Sequence, residues 1–416
     1  MNRTFHHWRS CLAIILVALA ISPALAKSKS IALNIAASDE PRTNVPLTVN
    51  ISLPAELAEI SLAKVKVADQ ELWGQLTAPS LLSDAKPGAD GEVVRELHFV
   101  VPKIDKGAAL EIEAQIDDSL QAPAGFAWQA EGDKQIDLLF ADALVARYMC
   151  EPFTTTSAAD RARTYKVFHH VFNPLDNTRL TKGMGSQFTH HRGVYYGFSK
   201  CSYGDGKKAD TWHCPGEVHQ SHGKVLAEEA GPVLARQRLL VNWHGADGQV
   251  FAEEERELTF HYVRGEDEKD FTIVVDFASQ LKSLDGKLTV DGDPQHAGFQ
   301  FRASEEVAEK TAKQTYYVRP DGTDKPGATR QGAKQPWNAM SFVVGGQRYT
   351  CCYLDSPANP KPGIYSERDY GRFGSYFVAE AEGDETIDVR YRLWIQPGEM
   401  DVAAVEAQAK NFVEPP

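Results

Sequence analysis

The chain is poor in cysteine, with six in 416 residues. Cys150, Cys201, Cys214, Cys351 and Cys352, the five beyond residue 26, are too few and too scattered to staple a chain of this length, which excludes a disulfide-built scaffold. An oxidising compartment would still permit one bridge, Cys201 to Cys214. Basic residues are outnumbered, 44 Lys and Arg against 57 Asp and Glu, for a formal charge of −13, so nucleic acid is not an expected partner. There is no P-loop, no Gly-x-Gly-x-x-Gly turn after a strand and no Gly-x-Ser-x-Gly elbow. Those absences argue against nucleotide cofactors and serine-hydrolase chemistry, and no cofactor is expected. No run after residue 26 approaches the roughly 20 apolar residues of a membrane-spanning helix.

What is present begins with a leader. His6, His7 and Arg9 precede an apolar run from Leu12 to Ile21, then Ser22-Pro23 and Ala24-Leu25-Ala26, the layout of a signal peptide over 1–26. The protein is therefore expected to be exported, to a periplasmic or extracellular location. About 390 residues remain, enough for two domains.

Short alternating runs such as Ile31–Ile35, Leu47–Ile51 and Leu97–Val101, separated by Pro- and Gly-bearing turns, predict a small β-sandwich over 27–146. From 147 to 416 the strands lengthen: Val233–Trp243, Glu255–Val263, Phe271–Phe277, Gly298–Ala303, Ser341–Tyr353 and Thr386–Ile395. Helical periodicity is confined to Glu305–Lys313 and the tail after Val402. The fold class is all-β, a small sandwich followed by a large antiparallel one.

Residues two apart on a strand share a side. Gln300 and Arg302 oppose Phe299 and Phe301, with His296 in phase; Arg238, Asn242 and His244 oppose Leu239, Val241 and Trp243; Glu257, Thr259 and His261 oppose Leu258, Phe260 and Tyr262; Arg390 and Arg392 alternate with Tyr391 and Leu393. Such a face either meets water, as one side of an antiparallel sheet ordinarily does, or lines one concave cleft for a hydroxyl-rich ligand, for which Arg and His are suited donors.

Ten of the eleven histidines after the leader lie between His169 and His296. Imidazole is the readiest acid, base or metal ligand near neutral pH, so chemistry belongs in this stretch. The block Thr189-His190-His191-Arg192-Gly193-Val194-Tyr195 supplies the catalytic candidates, His190 and His191 as acid/base. On an extended segment only His190 is in phase with Arg192; alternatively Gly193 bends the backbone so that both imidazoles enter one site. Arg192, Tyr195, His296, Arg302, Arg368 and Tyr370 are the candidate ligand-binding residues, Arg as donor to oxygens and Tyr as a stacking face. His213, Cys214, His219 and His222 offer metal-ligand types, without a standard metal motif, and define the metalloenzyme alternative. One of Glu253, Glu254 and Glu255 could partner a histidine.

At these residues the chain resembles a family of exported bacterial proteins labelled methane oxygenase PmoA. The matching pieces are His170 with Asn173-Pro174-Leu175, the 189–194 block, Trp212-His213, Glu253–Arg256, Gly298–Arg302, Asn359-Pro360, Arg368–Gly371 and Tyr391-Arg392-Leu393, with Pro41–Leu47 similar to the start of the small domain that often precedes it. The enzyme evoked by the label is a membrane protein, whereas this chain carries no spanning run. The resemblance implies a large sandwich similar to galactose mutarotase-like and polysaccharide-lyase sandwiches, in a family associated with bacterial sugar use. A carbohydrate or other hydroxyl-rich small molecule is thus the expected partner, bound by a noncatalytic module or turned over by an enzyme of the epimerase, lyase or hydrolase type.

Overall fold

A computed structural model describes residues 27–37, 41–265, 267–328 and 330–414; the leader expected over 1–26 lies outside the described residues. The protein is all-β. Residues from Ser28 to Asp117 form one six-stranded antiparallel sheet with an apolar core of its own, including Val45, Leu47, Leu97, Phe99 and Ile112. The alternating runs read from the sequence supply that core.

The three strands that follow, Phe126–Glu131, Gln135–Phe140 and Ala143–Met149, pair with the large domain. The boundary expected between 146 and 147 therefore moves to the 118–125 link. Alternation identifies a strand without revealing its partner, and here the partner is Phe168–Val171, beyond the expected border.

Two nine-stranded antiparallel sheets make the large domain. The first runs, edge to edge, through Arg330–Lys334, Ile364–Arg368, Arg372–Tyr376, Ala297–Arg302, Val194–Phe198, Phe168–Val171 and the three strands above. The second contains His219–Ala230, Ala235–His244, Val250–Arg264, Phe271–Ser283, Thr386–Pro397, Gln347–Asp355 and Trp337–Val344. Their apolar faces meet: Phe299 of the first stacks on Phe277 and Tyr391 of the second, with centroids 4.2 and 5.0 Å apart. Each such aromatic pair adds about 0.5–1.5 kcal/mol beyond the area it buries.

The faces opposite this core carry the Arg, His and Asn positions read from the sequence, but they are two faces and not one. Gln300 and Arg302 lie on the outer side of the first sheet. Glu257, Thr259, His261, Arg236 and Arg392 lie on the outer side of the second, where they line a cavity of about 320 Å³ shared with Glu96 and His98 of the small domain. Arg236 pairs there with Glu96 at 2.9 Å, and Leu81 donates its N–H to Glu257 at 3.0 Å. A period of two fixes the side of a strand and is silent on sheet membership.

Ser341–Tyr353 was expected as one strand and is a hairpin, Trp337–Val344 and Gln347–Asp355, turned by Gly345 and Gly346 at φ 61° and 76°. The helical expectations hold as a short irregular helix at Val307–Gln314 and an α-helix at Val402–Val413, whose N-cap Asp401 accepts from the N–H of Ala404. A further helix, Ala158–Thr164, is capped by Ser157.

Candidate functional site

The outer face of the first sheet holds Tyr195, Gln300, Arg302 and Arg372. Tyr195 is registered against Gln300, and Arg302 against Arg372 on the neighbouring strand. Three loop segments fold over this floor. The first is the turn that bears His190 and His191, closed by a hydrogen bond from the His191 N–H to the Phe188 carbonyl at 2.9 Å. Gly193 follows at φ 41°, where a Cβ would stand 2.1 Å from the His169 carbonyl oxygen, so glycine is needed for the turn to lie this close to its neighbouring strand. The second is the turn Asp210–Cys214 and the third Asp293–His296. They are neighbours because Lys200–Tyr203 pairs with Leu288–Asp291 in a small four-stranded sheet.

Aromatic rings join these segments into one basin. His190 meets His191 at 4.3 Å between centroids and His213 at 4.6 Å; His213 meets His296 at 5.2 Å. Trp212 touches His191, Tyr195 and His296. Tyr370 lies 6.3 Å from His191 in a stacked orientation, covers the Arg302 guanidinium at 4.9 Å and contacts the exposed ring of Phe188 at 5.3 Å. Both imidazoles of the His190–His191 pair therefore enter one site, the bent-backbone alternative.

Seven buried polar atoms on five of these side chains have no hydrogen-bond partner among the described residues: both ring nitrogens of His191, the Tyr195 hydroxyl, Trp212 Nε1, Arg302 Nε and Nη2, and Arg372 Nε. An unsatisfied buried group costs about 1–3 kcal/mol, so seven together rival the roughly 5–15 kcal/mol net stability of a whole domain. Water or a bound ligand would complete them.

Two carboxylate–imidazole pairs stand beside them. His213 Nδ1–H donates to Asp210 at 2.8 Å, and His296 Nδ1–H to Asp293 at 2.9 Å. With Nδ1 as donor, each Nε2 is left as the acceptor. Burial pushes the Asp293 carboxyl up, but hydrogen bonds from His296 and the Gln295 N–H outweigh it and hold the group below the usual carboxylate range. Among the described residues His190 and His191 have no carboxylate partner. Burial, then Lys166 and the neighbouring imidazoles, pulls His190 down to about 2; burial, then Arg372 and His190, pulls His191 well below its ordinary value. Both rings are neutral at physiological pH, as donors and acceptors rather than cations.

Of the other candidates, Arg302 and Tyr370 belong to the basin. Arg368 stands half-buried at its edge, registered against Arg372 and donating to the carbonyl of Glu367 at 2.7 Å. Arg192 does not serve a ligand. Its guanidinium donates to the carbonyls of Thr189 (3.0 Å), Arg163 (3.1 Å) and Ala162 and lies 4.0 Å from the centre of the Tyr165 ring, so it ties the turn to the preceding helix.

The His213, Cys214, His219, His222 set is not assembled. His219 is stacked between Phe153 and His244, and His222 contacts Tyr148. Among the described residues no group of three or more His, Cys, Asp or Glu is placed to hold a metal ion. Cys201 and Cys214 are free thiols, each packed on Thr211 rather than bridged. Glu254 partners Arg256 and Trp243, not a histidine.

Sequence reasoning passed over Asp210, Asp293, Trp212 and Arg372 as site members, and took His213 only as a metal ligand. One signal was present: the spacing Asp-x-x-His occurs twice, at Asp210–His213 and Asp293–His296.

A model of the family of unknown function DUF6807 matches residues 135–410, well over half of the chain. The chain belongs to DUF6807. Among curated proteins, none matches it. The DUF6807 span takes in every residue of the basin and leaves the six-stranded domain outside.

Proposed function

We propose that this is an exported carbohydrate-active protein that holds a hydroxyl-rich ligand in the basin and moves a proton on it. The observation that carries this reading is the convergence of seven unpartnered polar atoms beneath aromatic rings. Sugars present hydroxyl groups for the former and flat C–H faces for the latter. His213 and His296 act as the acid/base groups, since Asp210 and Asp293 orient them and leave each Nε2 able to take or return a proton. His190 and His191, neutral and close by, fix the ligand. The resemblance to the PmoA-like family and the leader-like first 26 residues support the sugar and export parts of the reading.

A thermal-shift and calorimetric panel of glycans, keto-sugars and sugar acids tests it. A ligand that raises the melting temperature is expected, with His213→Ala and His296→Ala retaining that binding while losing turnover. A flat response across the whole panel refutes the reading.

A further inference from the structure

Leaving aside Arg42 and Arg192, which donate to backbone carbonyls, and Arg236, which pairs with Glu96, the buried arginines and the part-buried Arg392 fall into two sets. In the first, each guanidinium grips a carboxylate through Nε and Nη2: Arg256 on Glu254, Arg319 on Glu367 and Arg392 on Asp276. Compensation of this kind is the usual condition for burying a charge. In the second set, Arg302 and Arg372 have no carboxylate within ion-pair distance among the described residues, although they are 0% and 1% exposed.

Their remaining donors show what they lack. Arg302 spends Nη1 on the carbonyls of Ala303 and Tyr370 and keeps Nε and Nη2 unpartnered. That is the same edge by which Arg256, Arg319 and Arg392 hold their acids. Arg372 donates to Gln295, Gln300 and Ser366 and keeps Nε. Lys166, buried below Tyr195 and donating to the Trp212 carbonyl at 2.6 Å, adds a third cation. The two acids of the basin, Asp210 and Asp293, are engaged by His213 and His296. The floor is thus cationic in a chain whose net charge is −13. Burial pulls Arg302 down to about 10 and Lys166 to about 8, the direction for cations short of counter-charge.

We propose that the ligand of this basin is an acidic sugar whose carboxylate is received by the free edge of Arg302, with Arg372 beside it. The proposal rests on the carbohydrate reading above and adds the charge to it. Two oxygens of one carboxylate match two parallel N–H groups of one guanidinium, a geometry that a neutral hydroxyl does not supply.

Titration calorimetry on the full chain compares galacturonate and glucuronate with galactose and glucose, and includes inorganic sulfate as a sugar-free anion. The uronates are expected to bind at least about tenfold more tightly than their neutral partners, to weaken with added salt, and to lose that preference in Arg302→Gln. Should that variant not fold, Arg372→Gln gives the same comparison. Equal binding of neutral and acidic sugars overturns the acidic-sugar proposal and leaves the carbohydrate reading standing. Binding of sulfate with every sugar silent overturns the sugar part of both, and silence from all five probes overturns both entirely.

Discussion

At the scale of single residues, two neighbours in sequence do different work. Arg192 is spent on the carbonyls of Ala162, Arg163 and Thr189, whereas His191 has both ring nitrogens unpartnered. Arg192→Met should therefore lower stability by about 2–4 kcal/mol in urea denaturation, by orphaning buried acceptors, with little direct effect on ligand contacts. His190 tests the acid/base assignment. Because it is held to about 2 by burial and nearby cations, it stays neutral throughout the working pH range. His190→Gln should weaken ligand binding while bound ligand still turns over, and His213→Gln or His296→Gln should abolish turnover while binding is kept. Turnover lost only in His190→Gln would reverse the roles. The sequence singled out His190 and His191 by their adjacency, and the structure places both in the cluster with His213 and His296. The sequence concealed the better-equipped imidazoles, whose carboxylates matter only through a hydrogen bond seen in three dimensions.

At the scale of elements, alternation was the legible signal. Phe299 and Phe301 face the core and Gln300 and Arg302 the outside, as a period of two requires. What alternation lacks is pairing information, so one imagined polar face resolved into two, on opposite sides of the sandwich. The Gly345-Gly346 turn was readable as a hairpin and was hidden by the apolar residues on both sides of it. Gly193 is the element-scale hinge of the site. Gly193→Ala would drive a methyl into the His169 carbonyl at a left-handed backbone angle, and should cost about 3 kcal/mol or more while displacing the His190–His191 turn. Chemical denaturation and the loss of ligand-induced stabilisation measure the two effects separately.

At the scale of the whole molecule, the small domain covers the second sheet and the His/Arg cluster lies on the outer side of the first. The Arg236–Glu96 pair, with side chains 6% and 3% exposed, clamps that cover. Removing one partner of such a pair leaves the other charge buried and typically costs about 3–5 kcal/mol. Glu96→Ala should accordingly lower the stability measured by urea denaturation by about that amount. Acid should act on the same molecule. Burial holds His98, His169 and His191 well below the ordinary imidazole value, so the folded protein keeps them neutral. The unfolded chain binds protons near pH 6.5, so stability present above that pH is lost below it, at about 1.4 kcal/mol per pH unit for each ring. The melting temperature should therefore fall between pH 6.5 and 5, and a flat profile would contradict the burial of these rings.

The central claim is that the orphaned groups around Arg302 and Trp212 are completed by a bound sugar. The most direct measurement is a crystal structure of the full chain soaked with galacturonate. The account predicts a pyranose ring against Tyr370 or Trp212, within hydrogen-bond reach of Arg302 and His191. Only ordered water on those atoms, at concentrations that saturate the crystal, would contradict it.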